Sequence, residues 1–74
     1  MTLQELGKIL HDMYSDSEDG EAVAMIHLFG VKYADEINDL GVSKRELAEA
    51  AGIGESYATE ISKGVKLSKY VCVK

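Results

Sequence analysis

Residues 44–64 of this 74-residue chain, KRELAEAAGIGESYATEISKG, decide its fold. The stretch is predicted to form two short helices joined by a tight glycine turn. Ser43 and Glu46 have the spacing of a capping box, which starts the first helix. Gly52 breaks that helix, and Gly64 is predicted to end the second helix as its C′ glycine.

The apolar positions of this stretch follow a strict spacing around Gly52, which is the ninth residue counted from Lys44. The residues at positions four, eight, ten, fifteen and eighteen are Leu47, Ala51, Ile53, Ala58 and Ile61. Ala48 is small where the two helices cross, because a larger side chain would push them apart. A β-carbon at Gly52 would strain the turn. Over 21 of 74 residues the pattern resembles the helix-turn-helix of the phage repressor and Cro family.

The resemblance implies an all-α fold, a lambda-repressor-like bundle of four to five short helices. It implies a bacterial or phage transcription regulator that binds double-stranded DNA sequence-specifically, without a cofactor. Such proteins bind as dimers to two half-sites about one helical turn apart, with the second helix of the motif in the major groove. Carried onto this sequence, the DNA-binding residues are Lys44, Arg45, Glu55, Ser56, Tyr57, Thr59, Glu60, Lys63 and Lys66.

These residue types suit different parts of a duplex. Ser56 and Thr59 can donate to or accept from base edges, and a glutamate can accept from a cytosine amino group. The ring of Tyr57 can pack on a sugar or a thymine methyl. Lysine and arginine side chains contact phosphates, which position the protein without reading sequence.

The N-terminal part, residues 1–41, is predicted to be helical. Thr2 and Glu5 form a second capping box, and apolar residues at three- and four-residue steps predict a helix over about 3–14. Gly7 inside that helix indicates close packing against another helix. Residues 15–21, SDSEDGE, lack the alternating acids of a calcium loop and are predicted to be a solvated connector.

Residues 21–40 are apolar almost all round in their first half, which predicts a central, mostly buried helix that Gly30 kinks or divides. A short strand over 23–29 is the alternative. If the family resemblance holds, residues 31–40 pack over the two-helix motif. Residues 65–74 are either a further short helix capped by Ser68 or a strand that pairs with another molecule, unless the chain is a piece of a longer protein.

The length and composition predict one domain over residues 1–74, with the motif at 43–64 and a tail at 65–74. No apolar run approaches 18 residues, and no signal peptide precedes the first helix, so a cytoplasmic protein without a membrane span is expected. The single cysteine, Cys72, excludes a cysteine zinc cluster. Paired with His27 it has neither an orienting acid nor an oxyanion glycine pattern, so no enzyme is predicted.

Charge divides the chain into two unequal parts. Residues 1–43 carry two lysines and nine acids, a net charge of −7, and residues 44–74 carry six basic residues and four glutamates, a net charge of +2. Only the C-terminal part can therefore face DNA. The overall charge of −5, with Glu55 and Glu60 on the predicted reading surface, supports an alternative function. In that alternative the scaffold is a protein-interaction module without DNA binding, for example the N-terminal piece of a larger protein.

Overall fold

The computed structural model describes residues 1–73, and 71% of it is helix without any strand in those residues, which confirms the all-α prediction. Five α-helices and one 3-10 turn follow each other along the chain. They are α1 (Leu3–Ser15), α2 (Ala22–Lys32), α3 (Ala34–Leu40), α4 (Lys44–Ala51), the 3-10 turn (Glu55–Tyr57) and α5 (Ala58–Leu67). None of these helices has the length and the apolar character that crossing a membrane requires.

Short-range hydrogen bonds start α1 and α4 where the sequence predicts. The Thr2 hydroxyl accepts from the backbone N–H of Glu5 at 3.1 Å, and the Glu5 carboxylate accepts from the Thr2 N–H at 2.9 Å. This complete capping box holds the pKa of Glu5 below its ordinary value. Ser43 accepts from the Glu46 N–H at 3.0 Å, which caps α4. The carboxylate of Glu46 accepts from the Ser43 hydroxyl instead of the backbone, so only half of the second box forms.

Three helix pairings build the core. Helix α1 packs against α4 and α2, and α2 packs against α5. The buried side chains of the core come from all five helices: Leu6, Leu10, Ile26, Phe29, Ile37, Leu47, Ala48, Ala51 and Ile61. Gly7 lies where α1 meets α4, and a Cβ on it would stand 2.9 Å from the Cβ of Ala50. The close packing predicted from Gly7 is therefore confirmed.

The division of residues 21–40 differs from the prediction in its position. Helix α2 ends at Lys32 and α3 begins at Ala34, so the two are divided at Tyr33, three residues after Gly30. Residues 23–29, for which a strand is the alternative prediction, are part of α2. Gly30 is an interior residue of α2 that faces α5, so its small size serves a helix contact instead of a kink. The ring of Tyr33 packs on Phe29, with centroids 5.3 Å apart. Residues 31–40 contact mainly α2, and α1 is the helix that packs across α4.

The predicted end of the second motif helix at Gly64 is wrong, because α5 continues through it to Leu67. A Cβ on Gly64 would stand 3.0 Å from the Cα of Gly30 and closer still to the carbonyl oxygen of His27. The glycine is needed for this contact between helix backbones and not for a left-handed turn. Ser68, predicted to start a further helix, instead caps the end of α5.

Residues 68–70 form a turn, and residues 71–73 have no regular structure. The tail therefore does not form the additional helix that was one of the two predictions for it. Pairing of the tail as a strand with another molecule stays a prediction, because it requires a partner chain.

Candidate nucleic-acid interface

The turn between α4 and the 3-10 turn has the geometry that a helix-turn-helix requires. Gly52 ends α4 in the left-handed conformation, with φ at +74°, where a side chain would be strained. The N–H of Ile53 donates to the Ala48 carbonyl at 3.1 Å. The Nδ1 of His11 lies 2.9 Å from the Ala51 carbonyl oxygen, which can only accept, so Nδ1 carries the proton. His11 of α1 thus holds the end of α4, a role that the sequence did not reveal.

The second half of the motif begins with the 3-10 turn and continues as α5. On the buried side of α5, Ile61 is fully buried and Gly64 packs against α2. Tyr57 is half-buried, and its ring meets the ring of Tyr14 edge-on at a centroid distance of 5.4 Å. The Tyr57 side chain therefore joins the motif to α1.

Glu60 differs from its predicted outward orientation. Its side chain is only 21% exposed, and its carboxylate accepts a hydrogen bond from Nε2 of His27 on α2 at 2.7 Å. The ammonium of Lys63 lies 3.4 Å from the other carboxylate oxygen. The hydrogen bond from His27 is the main cause that holds the pKa of Glu60 below its ordinary value. This glutamate therefore links α5 to α2, and its charge is balanced within the protein.

Glu55, the second glutamate that opposes DNA binding, is paired with Arg45. The Nε of Arg45 donates to Glu55 at 2.8 Å, and Glu49 lies 3.8 Å from the same nitrogen. All three side chains are more than half exposed. Exposed pairs of this kind contribute only about 0–1 kcal/mol, so an incoming phosphate can compete for the arginine.

Four of the predicted residues form an exposed surface on and beside α5. Ser56, Thr59, Lys63 and Lys66 are exposed, whereas Lys44 at the start of α4 is half-buried. Thr59, Lys63 and Lys66 follow at steps of four and three, so they lie along one side of α5. We call these three residues the α5 stripe. Within residues 1–73, neither Lys44 nor Lys66 has an acidic partner within ion-pair distance.

The structure thus sorts the nine predicted residues into two groups. Exposed side chains come from both halves of the motif: Arg45, Glu55, Ser56, Thr59, Lys63 and Lys66. Lys44, Tyr57 and Glu60 are half-buried. Tyr57 contacts Tyr14, which lies 43 residues away in sequence, and Glu60 contacts His27, which lies 33 residues away. No spacing within the motif signals such contacts, which is why reasoning from the sequence missed them.

Comparison with known proteins gives one match. A protein-family model described as an HTH-like domain matches residues 2–74, nearly the whole chain. The match agrees with the helix-turn-helix that the sequence predicts and does not single out the phage repressor and Cro family. No curated protein and no solved structure matches the chain significantly.

Proposed function

The chain belongs to the HTH-like domain family, and from this premise we propose that it is a DNA-binding transcription regulator whose residues 44–67 contact double-stranded DNA. The observation that carries the proposal is the exposed α5 stripe next to Ser56. Burial of Ile61 and Gly64 fixes the rotation of α5, so these polar side chains point away from the core. A helix exposed in this way can enter a major groove about 12 Å wide.

Each part of this surface has its own role in the proposal. The hydroxyls of Ser56 and Thr59 contact base edges and supply sequence preference. Lys44 and Lys66 bind phosphates directly. Arg45 and Lys63 exchange their glutamate partners for phosphates. The exchange costs little at Arg45 because its pair with Glu55 is exposed. At Lys63 the half-buried Glu60 keeps its hydrogen bond from His27.

Two of the half-buried residues, Tyr57 and Glu60, are proposed to position α5. Tyr57 packs on α1 through Tyr14, and Glu60 is bonded to α2 through His27. We assign them no base or phosphate, in contrast to the roles that the family resemblance implies. The proposed activity is therefore binding, without a catalytic step.

Dimeric binding is part of the proposal because one copy of the chain is shorter than one turn of DNA. The longest dimension of the chain is 31 Å, slightly less than one turn of DNA, which is about 34–36 Å long. One copy therefore reads one half-site, and two copies are needed to read two half-sites. Sedimentation of the protein with and without a duplex checks this: we expect a two-to-one complex, and a one-to-one complex at saturation would overturn the dimer.

The test of the proposed function starts with selection of duplexes from a random pool at low salt, where phosphate contacts are strongest. Fluorescence anisotropy then measures the affinity of the selected duplex against a scrambled one. Thr59→Ala should reduce the difference between the two duplexes more than it reduces the affinity for the scrambled one. Absence of binding to either duplex at 50 mM salt or below would refute DNA binding.

A protein-interaction module remains the second candidate, and two observations favour it. Arg45 and Lys63, two of the cations expected to face DNA, are paired with glutamates. Apolar side chains at the end of the chain are exposed, among them Leu67 at 44% and Val71 at 47%. Pull-down from the source cell, with nuclease treatment as a control, distinguishes the two: a partner retained after nuclease favours the module.

A further inference from the structure

The end of the chain has a charge pattern that the helix-turn-helix alone does not require. Residues 61–74 contain four lysines and no acid, whereas residues 1–60 contain four basic residues and all thirteen acids. Lys66 and Lys69 are exposed. Within residues 1–73 neither of them lies within ion-pair distance of an acid, in contrast to Arg45 and Lys63. Within residues 1–73, Lys66 and Lys69 are therefore two of the four lysines that can bind an external anion without breaking an ion pair, and the other two, Lys32 and Lys44, lie on different helices.

Backbone hydrogen bonds hold this segment at the end of α5. The N–H of Lys69 donates to the Lys66 carbonyl at 3.3 Å, and the N–H of Tyr70 donates to the Leu67 carbonyl at 2.9 Å. Tyr70 is 82% exposed, the highest value among the exposed large hydrophobic side chains. It lies four residues after Lys66, in the turn that follows α5. The exposed phenol therefore belongs to the same short segment as the exposed side chains of Lys66 and Lys69.

The distance along α5 shows what this segment can reach. From Thr59 to Lys66 the helix rises about 10 Å, at 1.5 Å per residue. The major groove is about 12 Å wide, so its edges lie about 6 Å from its centre. If Thr59 contacts base edges inside the groove, Lys66 and the residues after it extend beyond the bases to the phosphate groups at its edge.

We propose that Lys66, Lys69 and Tyr70 form a second DNA contact, which binds the phosphodiester backbone beside the groove that α5 enters. The two ammonium groups bind phosphate oxygens, and the phenol hydroxyl of Tyr70 donates a hydrogen bond to a phosphate. The proposal rests on the proposed function, because it places the segment relative to a bound α5. The contact contributes affinity and salt dependence but no sequence preference.

Salt titration tests this contact, because log K falls with log salt by about 0.9 for each phosphate neutralised. We expect the double variant Lys66→Gln/Lys69→Gln to reduce the magnitude of the slope by about 2, equally for the selected and the scrambled duplex. The matched control is Lys8→Gln/Lys32→Gln, which removes the same charge from α1 and α2 and should leave the slope within about 0.5 of the parent. Circular dichroism confirms that both variants remain folded.

A third variant isolates the phenol. Tyr70→Phe keeps the ring and removes the hydroxyl, so the affinity for both duplexes should fall by roughly 2- to 10-fold, the range for one lost hydrogen bond. The slope should change little, because no charge is removed.

The outcomes separate this inference from the function on which it rests. If the parent binds the duplex and the Lys66→Gln/Lys69→Gln variant has an unchanged slope, the second contact is refuted together with the phosphate role of Lys66, whereas DNA binding by the rest of the motif stands. If both double variants lower the slope equally, only net charge matters, and the contact is again refuted. If the parent binds no duplex at low salt, the proposed function itself fails.

Discussion

The contact between Gly30 and Gly64 gives the sharpest test of how α5 is held. Gly64→Ala adds one methyl group to the interior of α5. In the structure that methyl stands 3.0 Å from the Cα of Gly30 and overlaps the carbonyl oxygen of His27. Both neighbours are backbone atoms of α2, so no side chain can rotate to make space. The two helices must move apart or α5 must rotate.

The magnitude follows from two opposing effects. Overpacking at such a site costs about 1–3 kcal/mol, and the upper end applies because the neighbours are backbone. Alanine is a better helix former than glycine by about 1 kcal/mol, which offsets part of the cost. We therefore expect Gly64→Ala to lower the free energy of unfolding by about 2 kcal/mol, or Tm by roughly 8–16 °C at this size.

Chemical denaturation followed by circular dichroism measures this difference. Gly54→Ala is the matched control, because its new methyl has its nearest neighbour, the Ser56 hydroxyl, at 3.7 Å. Its φ of −60° is also one that alanine adopts freely. The control should stay within about 1 kcal/mol of the parent, because the gain from a less flexible unfolded chain opposes the lower preference for alanine at an N-cap. A Gly64→Ala variant as stable as the control would refute the close contact, and with it the rotation of α5 that exposes the α5 stripe.

Three further predictions concern single side chains of the motif. Ala48→Val should lower the free energy of unfolding by roughly 1–3 kcal/mol through overpacking, since Ala48 is fully buried, and urea denaturation measures it. Glu55→Gln should raise the affinity for DNA in the anisotropy titration, because Arg45 no longer gives up a glutamate partner to bind a phosphate. Glu60→Gln should make the free energy of unfolding less dependent on pH on the acid side of the stability profile. The pKa of Glu60 is lowered in the fold, chiefly by the His27 hydrogen bond. The stabilisation that ionised Glu60 contributes is therefore complete above its unfolded-state pKa, and it is lost as pH falls through the folded-state pKa.

Each of these three predictions has a control within the chain. Ala24→Val introduces the same side chain at an exposed position of α2 and should change stability by less than about 1 kcal/mol. Glu18→Gln removes one negative charge from the exposed connector between α1 and α2. It should leave both the affinity for DNA and the acid side of the stability profile as in the parent. Equal effects of Glu18→Gln and the test variants would contradict specific roles for Glu55 and Glu60.

Features set by neighbouring residues were predictable from the sequence. The caps at Thr2 and Ser43 depend on residues three positions away, and the left-handed turn at Gly52 depends on a missing β-carbon. The apolar spacing around that turn predicted which residues are buried, as Leu47 and Ile61 show. These features were sufficient to predict the all-α fold and the helix-turn-helix.

Features set by distant residues were not predictable. A glycine near the end of a helical pattern normally suggests a cap, and the sequence therefore predicts one at Gly64. Its real neighbour is Gly30, and nothing in either segment alone indicates that the two meet. In the same way Glu60 appeared as an outward residue until the structure placed His27 beside it. Pairing of this kind decides which members of the candidate site face a ligand.

The central claim is that the outer side of α5 contacts double-stranded DNA, and amide chemical-shift mapping tests it most directly. A selected duplex is titrated into ¹⁵N-labelled protein at low salt, and shifts are followed for every assigned amide. We predict the largest changes at Ser56, Thr59, Lys63 and Lys66, with α3 unaffected. Changes confined to α1 or α3, or no changes at saturating duplex, would contradict the claim.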